Sequence, residues 1–119
     1  MKPKVYQYAK CSTCRKARAF LEAQGVDYDF VDIVTEPPPK KTLKDVLRLS
    51  GLPIEKLFNT SGQSYRDGNF RDRLKSMDEA EALAALAADG KLIKRPLVVG
   101  DDFALVGFDE SAYRRRFKA

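Results

Sequence analysis

The opening segment of the chain restricts the fold more than any other, because it predicts a strand, a helix and a second strand in succession. Residues 5–8 are rich in β-formers and predict the first strand. A helix is expected over residues 15–24, with Gly25 as its stop, and a second strand over residues 28–33. Strands joined through a helix in this way form a βαβ unit and lie parallel in one sheet.

Helices are predicted through the middle of the chain. A helix is expected over residues 42–50, directly after a run of prolines that ends at Pro39. Ser76 and Glu79 match a capping box, which predicts a further helix from this point. We interpret about residues 39–90 as a helical insertion between the two halves of one small sheet.

The last part of the chain predicts a hairpin and a terminal helix. Strands are expected over residues 95–99 and 103–106, and the turn between them makes them antiparallel. Asp109 is expected to cap the last helix. The order β-α-β, helices, β-β-α predicts an α/β fold with a thioredoxin-like mixed sheet. Residues 1–119 are expected to form one domain.

Composition narrows the function classes. The chain has no histidine, which excludes Cys–His proteases, Ser–His–Asp hydrolases and histidine-ligated metal sites. Its net charge of +5 suits anionic small molecules, acidic protein surfaces or nucleic acid, and does not choose among them. We find no membrane-spanning run and no signal peptide, so a cytoplasmic location is expected, where thiols are normally reduced.

Cys11 and Cys14 form a C-x-x-C motif at the start of the first predicted helix. Free backbone N–H groups and the helix dipole at such a position favour a thiolate, and Lys10, Arg15 and Lys16 add positive charge. We therefore expect Cys11 to be the nucleophile. Cys14, one turn further along and more covered, is expected to be the resolving thiol.

The same helix start is also suited to an oxyanion. Backbone N–H groups over residues 12–15 are expected to hold a tetrahedral anion, with Ser12 or Thr13 as the cap. Two other interpretations of the cysteines stay open: a zinc site completed by another subunit, since the chain itself offers two of the four ligands, or a pair of structural buried thiols. No metal is predicted within the chain.

Several motifs in order and spacing resemble the ArsC/Spx family: C-S-T-C-R-K-A-R at 11–18, L-F-N-T-S-G at 57–62 and L-I-K-R-P-L-V-V at 92–99. This family holds thioredoxin-fold arsenate reductases and their regulatory and uncharacterised relatives. The resemblance implies that Cys11 attacks arsenate. It also implies that Arg95, before a cis Pro96, holds the oxyanion and the thiolate. Without the fold argument, the favoured interpretation of Arg95 and Pro96 is a solvated arginine and a strand-edge proline.

The chain departs from the family's arsenate reductases at three positions. Those coupled to glutathione and glutaredoxin present arginines where this chain has Asn59 and Gly107, and they usually lack a cysteine corresponding to Cys14. Asn59 is thus a candidate anion-binding residue with a weaker side chain. Fewer guanidinium groups predict weaker oxyanion binding, since arginine binds oxyanions bidentately.

Two functional hypotheses follow from the residues and the resemblance. The first is an arsenate reductase-like thiol oxidoreductase without a bound cofactor, with glutathione as a co-substrate and glutaredoxin or thioredoxin as reducing partner. The second is an Spx-like redox-sensing regulator that binds the C-terminal domain of the RNA polymerase α subunit, with basic residues at 15–18 and 114–116 meeting an acidic surface. Direct nucleic-acid binding is not predicted, because no zinc finger, recognition-helix pair or aromatic RNA motif is visible.

Overall fold

The four-stranded sheet has the order β2-β1-β3-β4 in the structure, a computed structural model that describes residues 2–8 and 10–117. β1 is parallel to β2 and antiparallel to β3, and β3 is antiparallel to β4, which confirms the predicted βαβ unit and hairpin. Residues 1, 9, 118 and 119, which belong to the predicted domain, lie outside the described residues. The strands are β1 (Lys4–Gln7), β2 (Asp29–Asp32), β3 (Leu97–Val99) and β4 (Ala104–Val106).

Six α-helices surround this sheet among the described residues. Four of them, the first, the second, the fifth and the last, are predicted in outline by the sequence, and two 3-10 turns lie within the insertion and at its end. The helices are α1 (Ser12–Ala23), α2 (Lys40–Ser50), α3 (Gln63–Asp67), α4 (Phe70–Arg73), α5 (Glu79–Ala88) and α6 (Glu110–Arg116). The 3-10 turns are Ile54–Leu57 and Gly90–Leu92.

The sheet separates two hydrophobic cores, because successive side chains of a strand point to opposite faces. Val5 packs with Leu21 of α1 and Tyr113 of α6 on one face. Tyr6 packs with Leu43 of α2 and other residues of the insertion on the opposite face. Each fully buried large apolar side chain contributes roughly 1.5–3 kcal/mol. The helices α1 and α6 thus cover one face of the sheet, and the insertion covers the other.

A short backbone pairing ties the insertion to the segment that enters β3. Phe58 forms an antiparallel bridge with Ile93. The Asn59 N–H donates to the Leu92 carbonyl at 2.8 Å, and the Lys94 N–H donates to the Leu57 carbonyl at 2.8 Å. The polar turn that follows Phe58 is therefore held beside the residues that precede β3.

The structure corrects the start of α1. The helix begins at Ser12 rather than at residue 15, and its N-cap is Cys11 rather than Ser12 or Thr13. Cys11 has an extended backbone, with φ −86° and ψ 125°, whereas Ser12 and Thr13 already lie inside the helix. A hydroxyl inside the first turn cannot act as the cap, because a cap residue needs non-helical backbone angles.

Two other predicted details are wrong. The capping box of α5 is formed by Asp78 and Glu81, two residues later than predicted: the Glu81 N–H donates to Asp78 Oδ1 at 2.8 Å. Asp78 directly precedes the helix, so its carboxylate reaches the free N–H groups of the first turn. The alternation of apolar residues over 28–33 predicts that Phe30 faces the core, but Phe30 lies on β2, an edge strand of the sheet, and is 49% exposed.

Candidate functional site

Cys11 lies at the junction between β1 and α1. Its N–H donates to the Tyr8 carbonyl at 3.0 Å, and its carbonyl accepts the Arg15 N–H at 3.1 Å. The backbone on both sides of the cysteine is thereby fixed. Its partly exposed side chain stands at the positive end of the α1 dipole.

The environment of Cys11 favours its thiolate. Burial raises the pKa of the Cys11 thiol, but the Cys14 backbone N–H, the Cys14 thiol, the Arg95 guanidinium and the Thr13 N–H lower it, and the net pKa is lowered. These N–H groups favour the thiolate although neither forms a capping hydrogen bond with the Cys11 side chain. The side-chain charge that lowers the pKa of Cys11 is that of Arg95, which lies more than eighty positions away in sequence.

Cys14 has the opposite environment. Its side chain is fully buried, and its Sγ accepts the Tyr8 N–H at 3.5 Å. Burial raises the pKa of the Cys14 thiol to about 11, and the neighbouring Cys11 sulfur acts in the same direction. Cys14 is therefore a protonated thiol that donates toward Cys11 at neutral pH. The pair titrates as a coupled unit.

A cavity of about 340 Å³ opens beside Cys11. Three elements meet there: the start of α1, the polar turn after Phe58 and the residues before β3. Arg95 is joined to the buried Pro96 by a cis peptide bond, and its guanidinium lies over the Tyr8 ring. The cavity is lined by Cys11, Thr13, Asn59, Ser61, Gly62, Lys94 and Arg95.

The predicted site residues fall into three positions. Cys11, Thr13, Asn59 and Arg95 line the cavity, whereas Cys14 and Pro96 are buried beneath it. Ser12 and Arg15 are exposed and do not line it. The Arg15 N–H, which was expected to be free for an anion, is occupied by the Cys11 carbonyl. The N–H groups that act on the sulfur are those of Thr13 and Cys14.

Three residues of the cavity were missed by sequence reasoning. Lys94, Ser61 and Gly62 all line it. Gly62 has a steric role, since a Cβ atom there would lie 2.6 Å from Nδ2 of Asn59. The signal for Lys94 was its position directly before Arg95, within the same motif.

A second cavity of about 230 Å³ continues on the other side of Arg95. It shares Asn59, Gly62 and Arg95 with the first and adds Lys91. The two together can accommodate a substrate larger than an oxyanion, with positive side chains on both parts.

Comparison with known proteins decides the family. The ArsC family model matches residues 6–116. The chain belongs to the ArsC family. This ArsC-family chain is 44% identical over 112 residues to the uncharacterized protein YusI of Bacillus subtilis, covering 94% of the chain and 95% of that protein. It is 25% identical to the global transcriptional regulator Spx of Lactiplantibacillus plantarum, over 93% of the chain and 83% of that protein.

Solved structures of the ArsC family agree with the fold. An ArsC family related protein from Bacteroides fragilis has a TM-score of 0.94 and 43% identity, over 97% of both chains. A possible arsenate reductase from Streptococcus mutans has a TM-score of 0.88 and 42% identity, over 97% of this chain and 98% of that one. The fold is therefore that of the thioredoxin-like ArsC proteins.

Over residues 2–8 and 10–117, no group of three or more histidine, cysteine, aspartate or glutamate side chains is placed to hold a metal ion. None of the helices described is both long enough and apolar enough to span a membrane.

Proposed function

We propose that this protein is a thiol-dependent oxidoreductase of the arsenate reductase kind, with Cys11 as nucleophile and Cys14 as resolving thiol. One observation carries the proposal: a sulfur with a lowered pKa opens into a cavity that two cations line and to which no described carboxylate contributes. Such a cavity attracts an anion to a nucleophile that is itself negative, which requires compensating positive charge.

The proposed reaction begins with attack of the Cys11 thiolate on the substrate. With arsenate, a sulfur–arsenic bond forms and one oxygen leaves as water after protonation. A second thiol then attacks the Cys11 sulfur, the pair of electrons of the sulfur–arsenic bond stays on arsenic, and arsenite is released. The second thiol is Cys14 or glutathione, and a dithiol of thioredoxin or glutaredoxin reduces the resulting disulfide.

The coupling between the two sulfurs supports the role of Cys14. The Cys11 thiolate is one cause of the raised pKa of Cys14. Once Cys11 is joined to a substrate, its sulfur no longer carries this charge, and one cause of the raised pKa of Cys14 is removed. This change favours the Cys14 thiolate at the stage of the reaction that needs it as a nucleophile.

A coupled reductase assay tests the proposal. Arsenate is supplied with NADPH and either the thioredoxin system or glutathione with glutaredoxin, and NADPH oxidation is followed for wild type, Cys11→Ser and Cys14→Ser. Arsenate-dependent turnover that Cys11→Ser abolishes is expected. Turnover absent with both reducing systems, or unchanged in Cys11→Ser, would reject arsenate reduction through this cysteine.

The alternative function is redox-dependent regulation of the Spx kind. The resemblance to the global transcriptional regulator Spx over 93% of the chain favours it. Two of the basic residues that this function would use are already paired with carboxylates. Arg114 and Arg116 form ion pairs with Glu110 and Asp102, at 2.9 and 3.0 Å. Their charges are partly compensated, so the basic residues at 15–18 would contribute most of the positive charge that meets an acidic partner.

A binding experiment separates the two functions. The reduced and the oxidised protein are each passed over the immobilised C-terminal domain of the RNA polymerase α subunit. Retention that depends on the redox state, together with no arsenate turnover, supports the regulator. Turnover without retention supports the enzyme.

A further inference from the structure

The side chain of Lys94 lies against the backbone of Gly107. The φ angle of Gly107 is +74°, in the left-handed region that favours glycine. A Cβ atom at this position would lie 2.8 Å from Cε of Lys94 and 3.6 Å from its Cδ. The lysine stem therefore occupies the space that a side chain at position 107 would need.

Hydrogen bonds fix the backbone of Gly107 and of Lys94. The Gly107 N–H donates to the Pro96 carbonyl at 2.9 Å. Its carbonyl accepts the buried Tyr113 hydroxyl at 2.9 Å. At the other end of the lysine, the Lys94 N–H donates to the Leu57 carbonyl at 2.8 Å. Both the base of the stem and the surface under it are thereby fixed.

Lys94 lines two cavities, and its charge is better suited to the one that contains Cys11. The other, of about 250 Å³, also contains Lys56 and Asp109. Asp109 already accepts the N–H groups of Ser111 and Ala112 as the cap of α6. Lys94 forms no ion pair with any described residue. Its side chain is exposed and borders the cavity that contains Cys11, so its ammonium is available to a ligand there.

We propose that Lys94 is the second cation of an anion-binding site at Cys11, where it binds a carboxylate or an oxyanion oxygen of the substrate. The proposal rests on the proposed function only in taking Cys11 as the nucleophile. The lysine provides positive charge at the place where the arsenate reductases that the chain resembles present an arginine at position 107. Arg95 acts on both the thiolate and the ligand, whereas Lys94 acts on the ligand alone.

Two alkylating reagents of similar size test this role. Iodoacetate is an anion and iodoacetamide is neutral, and in both cases the thiolate displaces iodide. Rates at Cys11 are measured by mass spectrometry at low salt in wild type, Lys94→Met and Lys56→Met. The ratio of the iodoacetate rate to the iodoacetamide rate is expected to fall about fivefold in Lys94→Met, as one charge near 4 Å in water implies. It should not change in Lys56→Met.

A titration and a rescue variant exclude a merely structural effect. The pH midpoint of the iodoacetamide rate is expected to be the same in Lys94→Met as in wild type, and Lys94→Arg should keep the wild-type ratio. Gly107→Ala should lower the ratio by displacing the stem, with circular dichroism to verify the fold. An unchanged ratio in Lys94→Met, or an equal fall in Lys56→Met, would overturn the proposal. A Cys11 that does not react with iodoacetamide would instead overturn the proposed function.

Protection experiments identify the type of anion. Sulfate represents a tetrahedral oxyanion, and S-methylglutathione represents a carboxylate ligand that cannot react. Each is titrated against iodoacetamide labelling of Cys11 in wild type and Lys94→Met. Loss of protection by sulfate alone assigns Lys94 to an oxyanion, and loss of protection by S-methylglutathione alone assigns it to a carboxylate. Equal protection of both proteins by both ligands would reject the assignment.

Discussion

The guanidinium of Arg95 lies over the ring of Tyr8, with Cζ 5.3 Å from the ring centroid. Tyr8 also donates its N–H to Cys14 Sγ and accepts the Cys11 N–H at its carbonyl. One residue at the end of β1 therefore contacts both cysteines and the arginine that faces them. The contact holds the charge of Arg95 beside the sulfur pair.

Arg95→Ala is expected to raise the pKa of Cys11, because the guanidinium is one of the groups that lower it. The pH midpoint of iodoacetamide labelling should move upward, and the labelling rate at pH 7 should fall. Arg114→Ala is the control, since Arg114 is exposed and paired with Glu110. Equal midpoints for both variants would show that Arg95 does not act on the thiolate.

Mild oxidation is expected to join Cys11 and Cys14 within one chain. The two sulfurs interact in the reduced protein, and three positions along a helix start bring them into reach. Mass spectrometry should show the loss of two hydrogens in a peptide that contains both residues. Disulfide-linked dimers or sulfinic acid at Cys11 as the main products would exclude a resolving role for Cys14.

Stability should depend on pH through the two thiols with opposite signs. The lowered pKa of Cys11 contributes stability that is present above the thiol's ordinary value of 9.0 and is lost as the pH falls through the folded-state value. The raised pKa of Cys14 contributes stability that is present below 9.0 and is lost as the pH rises toward about 11.

Urea unfolding at several pH values measures this effect. Between pH 9 and 11 the free energy of unfolding should fall by about 2 kcal/mol less in Cys14→Ala than in wild type. Burial, the larger cause of the raised pKa of Tyr113, acts in both proteins, and only the smaller contribution of Cys14 is lost in Cys14→Ala. Parallel curves for the two proteins would show that Cys14 ionises equally in the folded and unfolded states.

Asn59→Arg is expected to strengthen oxyanion binding at Cys11. Asn59 lines the cavity, and a guanidinium there can form two parallel hydrogen bonds to a tetrahedral anion. Protection of Cys11 by sulfate should require several-fold less sulfate than in wild type. Thr60→Arg adds the same charge to the neighbouring residue, which does not line this cavity. An equal gain in both variants would indicate a general charge effect.

Tyr113→Phe is expected to destabilise the protein by about 1 kcal/mol, because the Gly107 carbonyl loses a buried hydrogen bond. The same substitution should lower the rate of Cys11 labelling by iodoacetate relative to iodoacetamide, since Gly107 supports Lys94. Tyr28→Phe in the same hydrophobic core is the control for loss of a hydroxyl. A stability loss without any change in the rate ratio would limit Tyr113 to a structural role.

The fold was predictable because its main signals are local. The β-rich segment before Cys11, the stop at Gly25 and the turn at Gly100 each act within a few residues, and together they define the βαβ unit and the hairpin. The exact ends were less predictable. Ser12 and Thr13 are the preferred cap residues by sequence, and only the extended backbone of Cys11, whose N–H is bound to the Tyr8 carbonyl, shows that Cys11 is the cap.

The candidate site was predictable only in part, because it combines distant segments. Cys11 could be located from its own motif, and Arg95 from the resemblance. Lys94 stands beside Arg95 in the same motif, but its proposed role could not be predicted, because it depends on the absence of a side chain at Gly107 and on the bridge between Phe58 and Ile93. Arg15 was expected to contribute to the site because it is near Cys11 in sequence. In the structure it is exposed and does not line the cavity.

The complete burial of Cys14 also determines how electrons would pass through the oxidised protein. Once the two sulfurs are joined, an incoming thiolate can reach the Cys11 sulfur but not the Cys14 sulfur. Every reductant must then form its mixed disulfide with Cys11, and Cys14 must always be the leaving group. Substrate and reductant therefore approach the same atom from the same cavity. The two cannot occupy the cavity at the same time, so excess substrate should slow the reduction that regenerates the protein.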